Sequence, residues 1–314
     1  MESPANTPKT LLEAIRYFSD LNVATDHVAK TRWPDGPVCP ACGTVSERHY
    51  YLKTRRVWKC RECKKQFSVK VGTIFEDSAI GLDKWLPAMW MLANSKNGVS
   101  SHEMARSLGI TQKSAWFVLQ RLRLAMQAGS IEKLSGEVEA DETFIGGKAR
   151  NMHKKKREEK IQGRGASGKV AVMGLLERHG KVQTKVVPDT KKRTLQPEIR
   201  ENVEPGSEVF TDALKSYEGL DPEYVHQVID HAEKYAEGKV HTNGLENFWS
   251  LLKRGINGTY VSVEPYHLFR YLDEQAFRFN ERGGKDADRF GKALGSVAGR
   301  RLTYRQLTGD DVAR

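Results

Sequence analysis

The four cysteines of this 314-residue chain constrain its fold more than any other feature, because all of them lie between residues 39 and 63. Cys39 and Cys42 form one CxxC motif, and Cys60 and Cys63 form a second. Each CxxC turn directs two thiolates at one point, and two such turns complete a tetrahedral site that suits zinc. Such a site is closed, so we predict a structural Zn²⁺ and a zinc ribbon over residues 36–75.

Basic side chains crowd the same segment and indicate which kind of partner the ribbon binds. Zinc ribbons bind DNA, RNA or protein, so the cysteines alone do not identify that partner. The net charge of the whole chain is +11 at pH 7, and a balance this basic favours a polyanion. We therefore expect a nucleic acid, although charge alone does not separate DNA from RNA. The basic residues of the ribbon are Lys53, Arg55, Arg56, Lys59, Arg61, Lys64 and Lys65.

Membrane and secretory patterns are missing from the sequence. No stretch approaches ~18 consecutive apolar residues, so no transmembrane helix is expected. The opening residues, MESPANTPKT, lack the charged-then-apolar pattern of a signal peptide. We expect a cytoplasmic, nucleoid-associated protein without a membrane partner.

Residues 98–126 have the length and punctuation of a helix-turn-helix. Ser100 or Ser101 can cap a first helix, and Gly109 ends it where a left-handed turn needs glycine. Thr111 can cap the second helix. An ordinary helical hairpin has the same pattern, and the ribbon and the charge favour the DNA-binding interpretation. The residues of the second helix that we expect to contact DNA are Gln112, Lys113, Arg121 and Arg123.

Two aspartates stand at positions where a free charge is difficult to accommodate. Asp141 falls within an alternating strand that contains Val138 and Ala140, and a carboxylate in a core strand is costly unless it is paired or bound to metal. Asp212 ends a short apolar strand. Glu142 is an alternative to Asp141 as a ligand, and Thr211-Asp212 could instead cap the helix that follows.

A helix that begins near residue 242 supplies a third candidate position. Its polar residues share one face, and its large apolar residues are free to face a core. Glu246 is the candidate acid, and Asn243 shares its face and can also ligate through its carbonyl oxygen. The polar set is Asn243, Glu246, Ser250 and Lys253, and the apolar set is Leu245, Phe248, Trp249 and Leu252.

The order of elements from residue 135 onward is three strands, a helix, two strands and a helix, which resembles the RNase H-like fold. Carboxylates on its first strand, fourth strand and late helix could share two Mg²⁺ or Mn²⁺ ions in phosphoryl transfer. We predict a multidomain α+β chain. Its parts are an N-terminal helical segment (1–35), the zinc ribbon (36–75), a helix-turn-helix-like helical domain (80–130), an RNase H-like α/β domain with a mixed five-stranded sheet (135–285) and a C-terminal tail (286–314).

Three motifs resemble a known family across residues 10 to 285. They are VEADETFIGGK, VFTDALKSY and HTNGLENFWSLLKRGINGTY, with HLFRYLDEQAFRFNER after the last. The chain is similar to insertion-sequence transposases that have an N-terminal zinc ribbon and a DDE-type catalytic domain. The resemblance implies that the first two catalytic aspartates are Asp141 and Asp212. It implies a third ligand at Glu246 or Asn243, since relatives vary between Glu and Asn there.

The resemblance also implies partners and a reaction. A basic residue about two helical turns beyond the third acid is typical of the family, and Lys253 occupies that position. His231 and His241 flank the helix, and each is either a support for the site or a structural polar residue. The implied activity is recognition of terminal inverted repeats in double-stranded DNA, strand cleavage by water and transfer of the 3′-hydroxyl to target DNA. The implied assembly is a homo-oligomer on paired ends.

Two other functions fit the same sequence. A domesticated DNA-binding regulator would keep the ribbon and the helix-turn-helix and would lose a carboxylate, whereas all three acidic positions are filled here. An RNase H-like nuclease would use the same ligands without strand transfer. The basic segment 148–164 is predicted to be an exposed loop, either a solvated one or one that contacts phosphates.

Overall fold

The computed structural model describes residues 7–127, 132–147, 153–161, 167–221, 223–229 and 241–309. The chain divides into two compact units. The first combines Met1–Gln127 with Glu281–Arg314, and the second is Ala128–Asn280. In the described part of the chain, no helix is long and apolar enough to cross a membrane.

Helices dominate the first unit, and a mixed sheet forms the second. The helices are α1 Leu11–Phe18, α2 Leu21–Arg32, α3 Leu82–Asn94, α4 Ser101–Leu108, α5 Gln112–Met126, α6 Lys154–Lys160, α7 Lys192–Asn202, α8 Asn243–Arg254, α9 Leu268–Asn280, α10 Asp286–Gly295 and α11 Tyr304–Thr308. The strands are β1 Tyr50–Leu52, β2 Val57–Lys59, β3 Gln66–Ser68, β4 Glu137–Ile145, β5 Val170–Glu177, β6 Val182–Val187, β7 Glu208–Asp212 and β8 Val225–Ile229.

The predicted zinc ribbon is confirmed as a three-stranded antiparallel sheet in the order β1-β2-β3. Trp58 on β2 lies opposite Phe67 on β3, and their rings stack with centroids 6.2 Å apart. Trp33, at the end of α2, meets Trp58 edge-on at 5.2 Å. These three aromatic side chains form a small apolar cluster beside the cysteines, and a module of this size depends on its metal to fold.

The helix-turn-helix has the caps that the sequence predicts. The Ser100 hydroxyl accepts a hydrogen bond from the Glu103 amide and begins α4. Gly109 ends α4 in the left-handed conformation, with φ 61° and ψ 47°. The Thr111 hydroxyl accepts from the Ser114 amide and begins α5. Local side-chain chemistry therefore fixes both ends of this turn.

The second unit contains the predicted mixed five-stranded sheet, in the order β6-β5-β4-β7-β8. Strands β4, β5 and β6 pair antiparallel, whereas β7 runs parallel to β4 and β8 runs parallel to β7. The first strand is thus central and later strands extend the sheet on both sides, as in the RNase H-like fold. Helices cover both faces, so β5 is almost continuously apolar.

Two apolar clusters fill the space between the sheet and its helices. On one face, Val138 and Ala140 pack with Leu195 and Ile199 of α7. The opposite face carries Ile145, Val172 and Leu176, which pack with Leu245, Phe248, Trp249 and Leu252 of α8. The apolar side of α8 is therefore the one predicted from its sequence, and the helix that bears the third candidate acid is anchored on the central strands.

Two segments differ from their predicted form. The described part of 286–314 carries helices α10 and α11 rather than a tail, and the Phe290 ring of α10 lies 5.1 Å from Trp90 of α3. Of the basic segment 148–164, the structure describes 153–161, and these residues form α6 instead of a loop. The exposed side chains that the structure describes on α6 agree with the predicted exposure. Short charged helices of this kind need no core contact.

Candidate functional site

The four cysteine thiols of the ribbon converge on one point. Their sulfur atoms all lie within 4.8 Å of one another. The Sγ atoms of Cys39 and Cys63 are 3.6 Å apart, as are those of Cys42 and Cys60. A tetrahedral zinc ion with Zn–S bonds of about 2.3 Å requires sulfur separations of about 3.8 Å, so the thiols fit zinc closely. The ribbon therefore contains a structural four-cysteine zinc site.

Two further residues support this site, and the cysteine spacing did not reveal them. His49 is buried, with Nε2 3.1 Å from the carbonyl oxygen of Thr44, while its Nδ1 accepts from the Arg61 amide at 3.3 Å. The imidazole thus bridges the two CxxC turns without ligating the metal. The Thr44 hydroxyl lies 3.3 Å from Sγ of Cys42, and hydrogen bonds from the Thr44 hydroxyl and backbone lower the pKa of that thiol to about 6.

Asp141 lies in the middle of the central strand, on the face covered by α8. Its cross-strand partner on β5 is Gly174. A Cβ atom at residue 174 would lie 2.5 Å from Cζ2 of Trp249, so glycine is needed for the indole to reach the strand. The Nε1 of Trp249 donates a 2.9 Å hydrogen bond to Oδ2 of Asp141. The sequence predicted Trp249 as a core residue, and it also holds the aspartate.

Asp212 ends β7, beside the central strand. Its Oδ1 accepts from the Leu214 amide at 3.1 Å, which forms a turn around the carboxylate. A short 3₁₀ helix, Lys215–Tyr217, follows. Its N-cap position is Leu214, so Asp212 is not its N-cap. The Thr211 hydroxyl lies 2.9 Å from Nε2 of His226 on β8, which braces this end of the strand.

Negative charge accumulates around Asp141. Burial raises the pKa of Asp141 to about 6, and the nearby carboxylates of Asp212 and Glu246 add to that shift. Burial also raises the pKa of Glu142 to about 8, reinforced by Asp212 and Asp141. Oε1 of Glu142 is buried and has no hydrogen-bond partner among the residues that the structure describes. Negative charge brought together on Asp141, Asp212 and Glu246 suits a divalent cation.

The third candidate position lies on the solvent side of α8. Asn243, Glu246 and Lys253 are all exposed, as the shared helix face predicts. Glu246 stands in the first turn, and Lys253 stands in the last turn. The electrostatic effect of Glu246 on Asp141 links this face to the central strand. His231 lies outside the described residues, and His241 lies immediately before the helix, where its Nδ1 is 3.5 Å from Oε1 of Glu139.

The carboxylates do not form a closed cage. Among the residues that the structure describes, the four cysteines are the one group of potential metal ligands that meet within 4.8 Å. The charges of Asp212 and Glu246 act on Asp141 from a longer distance. An open arrangement of oxygen ligands differs from the closed thiol site, and it leaves coordination positions for water and substrate oxygens.

Helix α5 exposes only two of the four residues that the sequence predicts for DNA contact. Gln112 and Lys113, in the first turn of α5, are exposed. Arg121 and Arg123 require a correction, because they are only 3% and 1% exposed. The guanidinium of Arg121 donates to the carbonyl oxygens of Ile74, Glu76 and Leu302 at 2.8, 2.6 and 3.0 Å. Arg121 is therefore a structural residue that satisfies buried backbone groups, a role that helix periodicity does not reveal.

A basic recess on the zinc ribbon is the other candidate surface for a polyanion. It has a volume of about 460 Å³. Its cationic side chains come from the residues before β1, from β2 and from the second CxxC turn and the residue after it, and Tyr50 beside them is 66% exposed. The residues that line it are Arg48, Tyr50, Leu52, Lys59, Cys60, Arg61, Lys64 and Gln66.

Comparison with known proteins gives the same two modules. A family model described as an ISXO2-like transposase domain matches residues 133–280, and one described as a transposase zinc-ribbon domain matches residues 22–66. An uncharacterized protein in transposable element ISH50 of Halobacterium salinarum is 28% identical over 292 residues, covering 87% of this chain and 96% of that relative. An uncharacterized transposase-like protein of Haemophilus influenzae is 42% identical over 101 residues, covering 32% of this chain and 81% of that relative.

Proposed function

Because the chain belongs to the family of insertion-sequence transposases with a zinc ribbon, we propose that it cleaves and joins DNA strands at a divalent-metal site on its sheet. The proposed ligands are Asp141, Asp212 and either Glu246 or Asn243. The proposed substrates are the ends of the element and a target duplex. Two chemically equivalent steps, attack by water and attack by a 3′-hydroxyl, would use the same ligands.

The observation that carries this proposal is the geometry at Asp141, which lies in the middle of the central strand on the sheet face that α8 covers, and accepts a hydrogen bond from Trp249. Burial raises the pKa of Asp141 to about 6, and the charges of Asp212 and Glu246 contribute. A divalent cation would compensate the negative charge that these three carboxylates bring together. Alternation along β4 assigns Glu142 to the opposite face, which favours Asp141 over Glu142 as the ligand.

Mg²⁺ or Mn²⁺, when bound, would activate the attacking oxygen and stabilise the leaving oxygen of an in-line displacement. The chain's own residues hold the reactants in place. Trp249 fixes one oxygen of Asp141, and the turn at Leu214 fixes one oxygen of Asp212. Lys253, exposed on the same helix face as Glu246, is suited to hold a DNA phosphate beside the acids.

We propose that DNA is brought to this site by the first unit. Gln112 and Lys113 begin α5, and the first turn of a recognition helix is where base-edge contacts usually occur. The basic recess on the ribbon would contact phosphates, independently of base sequence. A homo-oligomer on paired ends and a location on the bacterial nucleoid in the cytoplasm follow from this function as proposals.

Cleavage of a labelled duplex that carries the element end and its flanking DNA tests the mechanism. We expect Asp141→Asn and Asp212→Asn to reduce cleavage in Mg²⁺ by about three orders of magnitude, since several kcal/mol of charge stabilisation are lost. Glu246→Gln and Asn243→Ala decide the third ligand, because the one that matters should lose activity comparably. Glu201→Gln, an exposed acid with a side chain 69% accessible, is the matched control.

The same assay separates the competing functions. Normal cleavage by both aspartate variants would overturn the metal mechanism. Cleavage without joining of the new 3′-end to a second duplex identifies a nuclease. Specific binding of the end without cleavage in either Mg²⁺ or Mn²⁺ identifies a DNA-binding regulator.

A further inference from the structure

A second acid on the central strand, Glu139, is more deeply buried than Asp141. Its side chain is 1% exposed, and it lies two residues before Asp141 on the same face of β4. An ionised carboxylate at such a position is stable only when its oxygens are fully paired. Both oxygens of Glu139 are paired, and the two partners come from different elements of the second unit.

The first partner is Arg178, immediately after β5. Its Nε donates to Oε1 of Glu139 at 3.1 Å. Its other nitrogens donate to Glu137 at 3.1 Å and to the carbonyl oxygen of His241 at 2.6 Å. The guanidinium also lies 3.8 Å from the centroid of the Phe210 ring. Arg178 is thus fixed on three sides and neutralises the buried acid.

The second partner is the start of α8. The backbone amide of Leu245 donates to Oε2 of Glu139 at 2.9 Å. This amide is in the first turn of the helix, where the chain has no intrahelical acceptor. The N-cap residue, Thr242, makes no side-chain capping bond. A carboxylate from the central strand therefore caps α8, and its charge also complements the positive end of the helix dipole.

Close approach of the helix to the strand requires Gly244. A Cβ atom at this position would lie 2.7 Å from Oε2 of Glu139 and 2.5 Å from Cδ2 of Leu176. Any larger residue would displace the first turn of α8, or the side chains of Glu139 and Leu176, from this contact. The glycine and the carboxylate thus define one fixed distance between β4 and α8.

We propose that Glu139, held by Arg178, is a positioning residue that fixes the first turn of α8, with Asn243 and Glu246, relative to Asp141 on the central strand. The inference rests on the proposed function, since it concerns the geometry of the same metal site. Glu139 is not proposed as a ligand, because its two oxygens already bond Arg178 and the Leu245 amide. Its effect reaches the metal through the residues adjacent to Leu245.

Glu139→Gln tests this role in the zinc-loaded, full-length chain. An amide offers one acceptor, so its NH₂ group must face either Arg178 or the Leu245 amide, which are both donors. Without added metal, we expect hydrogen exchange of the peptide 242–248 to accelerate about tenfold through loss of one buried hydrogen bond. We expect Mn²⁺ affinity, measured by electron paramagnetic resonance without DNA, to fall about 10- to 100-fold. Raised Mn²⁺ should then restore cleavage.

Glu137→Gln is the matched control. This variant weakens another bond to the same Arg178 but leaves Glu139, the acceptor of the Leu245 amide, in place. Hydrogen exchange and Mn²⁺ affinity should therefore stay within about twofold of wild type. Gly244→Ala is a second variant that keeps the carboxylate and displaces the helix. If Glu139→Gln does not fold, Gly244→Ala replaces it in the test. It should show the same faster exchange of residues 242–248 and the same loss of Mn²⁺ affinity.

The outcomes separate the inference from the proposed function. A folded Glu139→Gln chain with wild-type exchange and wild-type Mn²⁺ affinity overturns the positioning role. If Asp141→Asn binds Mn²⁺ as tightly as wild type, the proposed metal site is wrong. The exchange of residues 242–248, measured without metal, then still decides whether Glu139 fixes the helix.

Discussion

Trp249 donates a 2.9 Å hydrogen bond from its indole Nε1 to Oδ2 of Asp141, so helix α8 is bonded directly to the central strand. The bond favours the ionised form of a carboxylate that burial otherwise disfavours. Trp249 is therefore both a packing residue and an electrostatic one.

Trp249→Phe should separate these two effects. Without the donor the pKa of Asp141 rises further, so the acid limb of the cleavage pH profile should move to higher pH. Lost packing and the lost bond should cost about 1–3 kcal/mol in the free energy of unfolding. Trp90 of α3 is also buried, and Trp90→Phe is the control. It should lower stability without moving the pH profile, and an equal shift in both variants would contradict the prediction.

Gly174→Ala should destabilise the second unit by overpacking. The new Cβ would lie 2.5 Å from Cζ2 of Trp249 and 2.9 Å from Cδ2 of Leu245. We expect a loss of about 1–3 kcal/mol in urea denaturation. Gly258→Ala, where no atom lies within 4 Å of the added Cβ, should not show this loss. Similar losses in both variants would mean that the contact with Trp249 is not the cause.

Metal-free protein should lose stability as pH rises. The folded-state pKa values of Asp141 and Glu142 are raised to about 6 and about 8. Folding therefore favours their protonated forms. Their contribution is fully present below the ordinary carboxyl pKa near 4, and it is lost as pH rises through 6 and 8. Thermal melting between pH 4.5 and 8.5, with and without Mg²⁺, measures the effect, and Mg²⁺ should reduce it.

Glu142→Gln isolates the larger part of the pH dependence of stability in metal-free protein. The variant should melt higher than wild type at pH 8 without metal, because a neutral side chain replaces a buried charge. At pH 4.5 the two should melt alike. A variant that is less stable than wild type at both pH values would show that Glu142 is stabilised in its charged form.

Zinc removal should unfold the ribbon. We expect about one zinc ion per chain by atomic absorption and its loss in Cys60→Ser. The emission of Trp58, which is packed against Phe67, should shift to the red when a chelator removes the ion. Cys42, which is exposed, should react with a thiol reagent only after chelation. Retention of a folded ribbon without metal would contradict this expectation.

Lys113 and Arg121 should respond in opposite ways. Lys113→Ala should leave the melting temperature unchanged, weaken DNA binding and lower the slope of log affinity against log salt by about one. Arg121→Ala should lower stability by about 2–4 kcal/mol, because carbonyl groups of Ile74, Glu76 and Leu302 lose their donor. A normal melting temperature for Arg121→Ala would contradict its structural role.

The features that the sequence predicts are those encoded by neighbouring residues. The CxxC turns, the Ser100 and Thr111 caps and the left-handed Gly109 depend on a few adjacent positions. The alternation of β4 and the apolar stripe of α8 are likewise local periodicities. These patterns predicted the ribbon, the helix-turn-helix, the mixed sheet and the face of α8 that packs on it.

The features that the sequence misses depend on contacts between distant segments. Glu139 reads as one acid among several in VEADE, and its partner amide at Leu245 lies far along the chain. Arg121 has the spacing of a surface residue on a recognition helix. Its buried guanidinium donates to the carbonyl oxygen of Leu302, far along the chain. Long-range pairing of this kind leaves no period in the sequence.

The division of the chain has a consequence for its synthesis. The first unit is discontinuous, since Glu281–Arg314 completes Met1–Gln127. The Ile74 amide donates to the carbonyl of Val297 at 3.2 Å, and Arg121 donates to that of Leu302. Residues 281–302 must therefore be translated before the ribbon-bearing unit can close, whereas the sheet has all its residues at Asn280. A product that stops soon after Asn280 would carry a finished sheet and an unfinished ribbon-bearing unit.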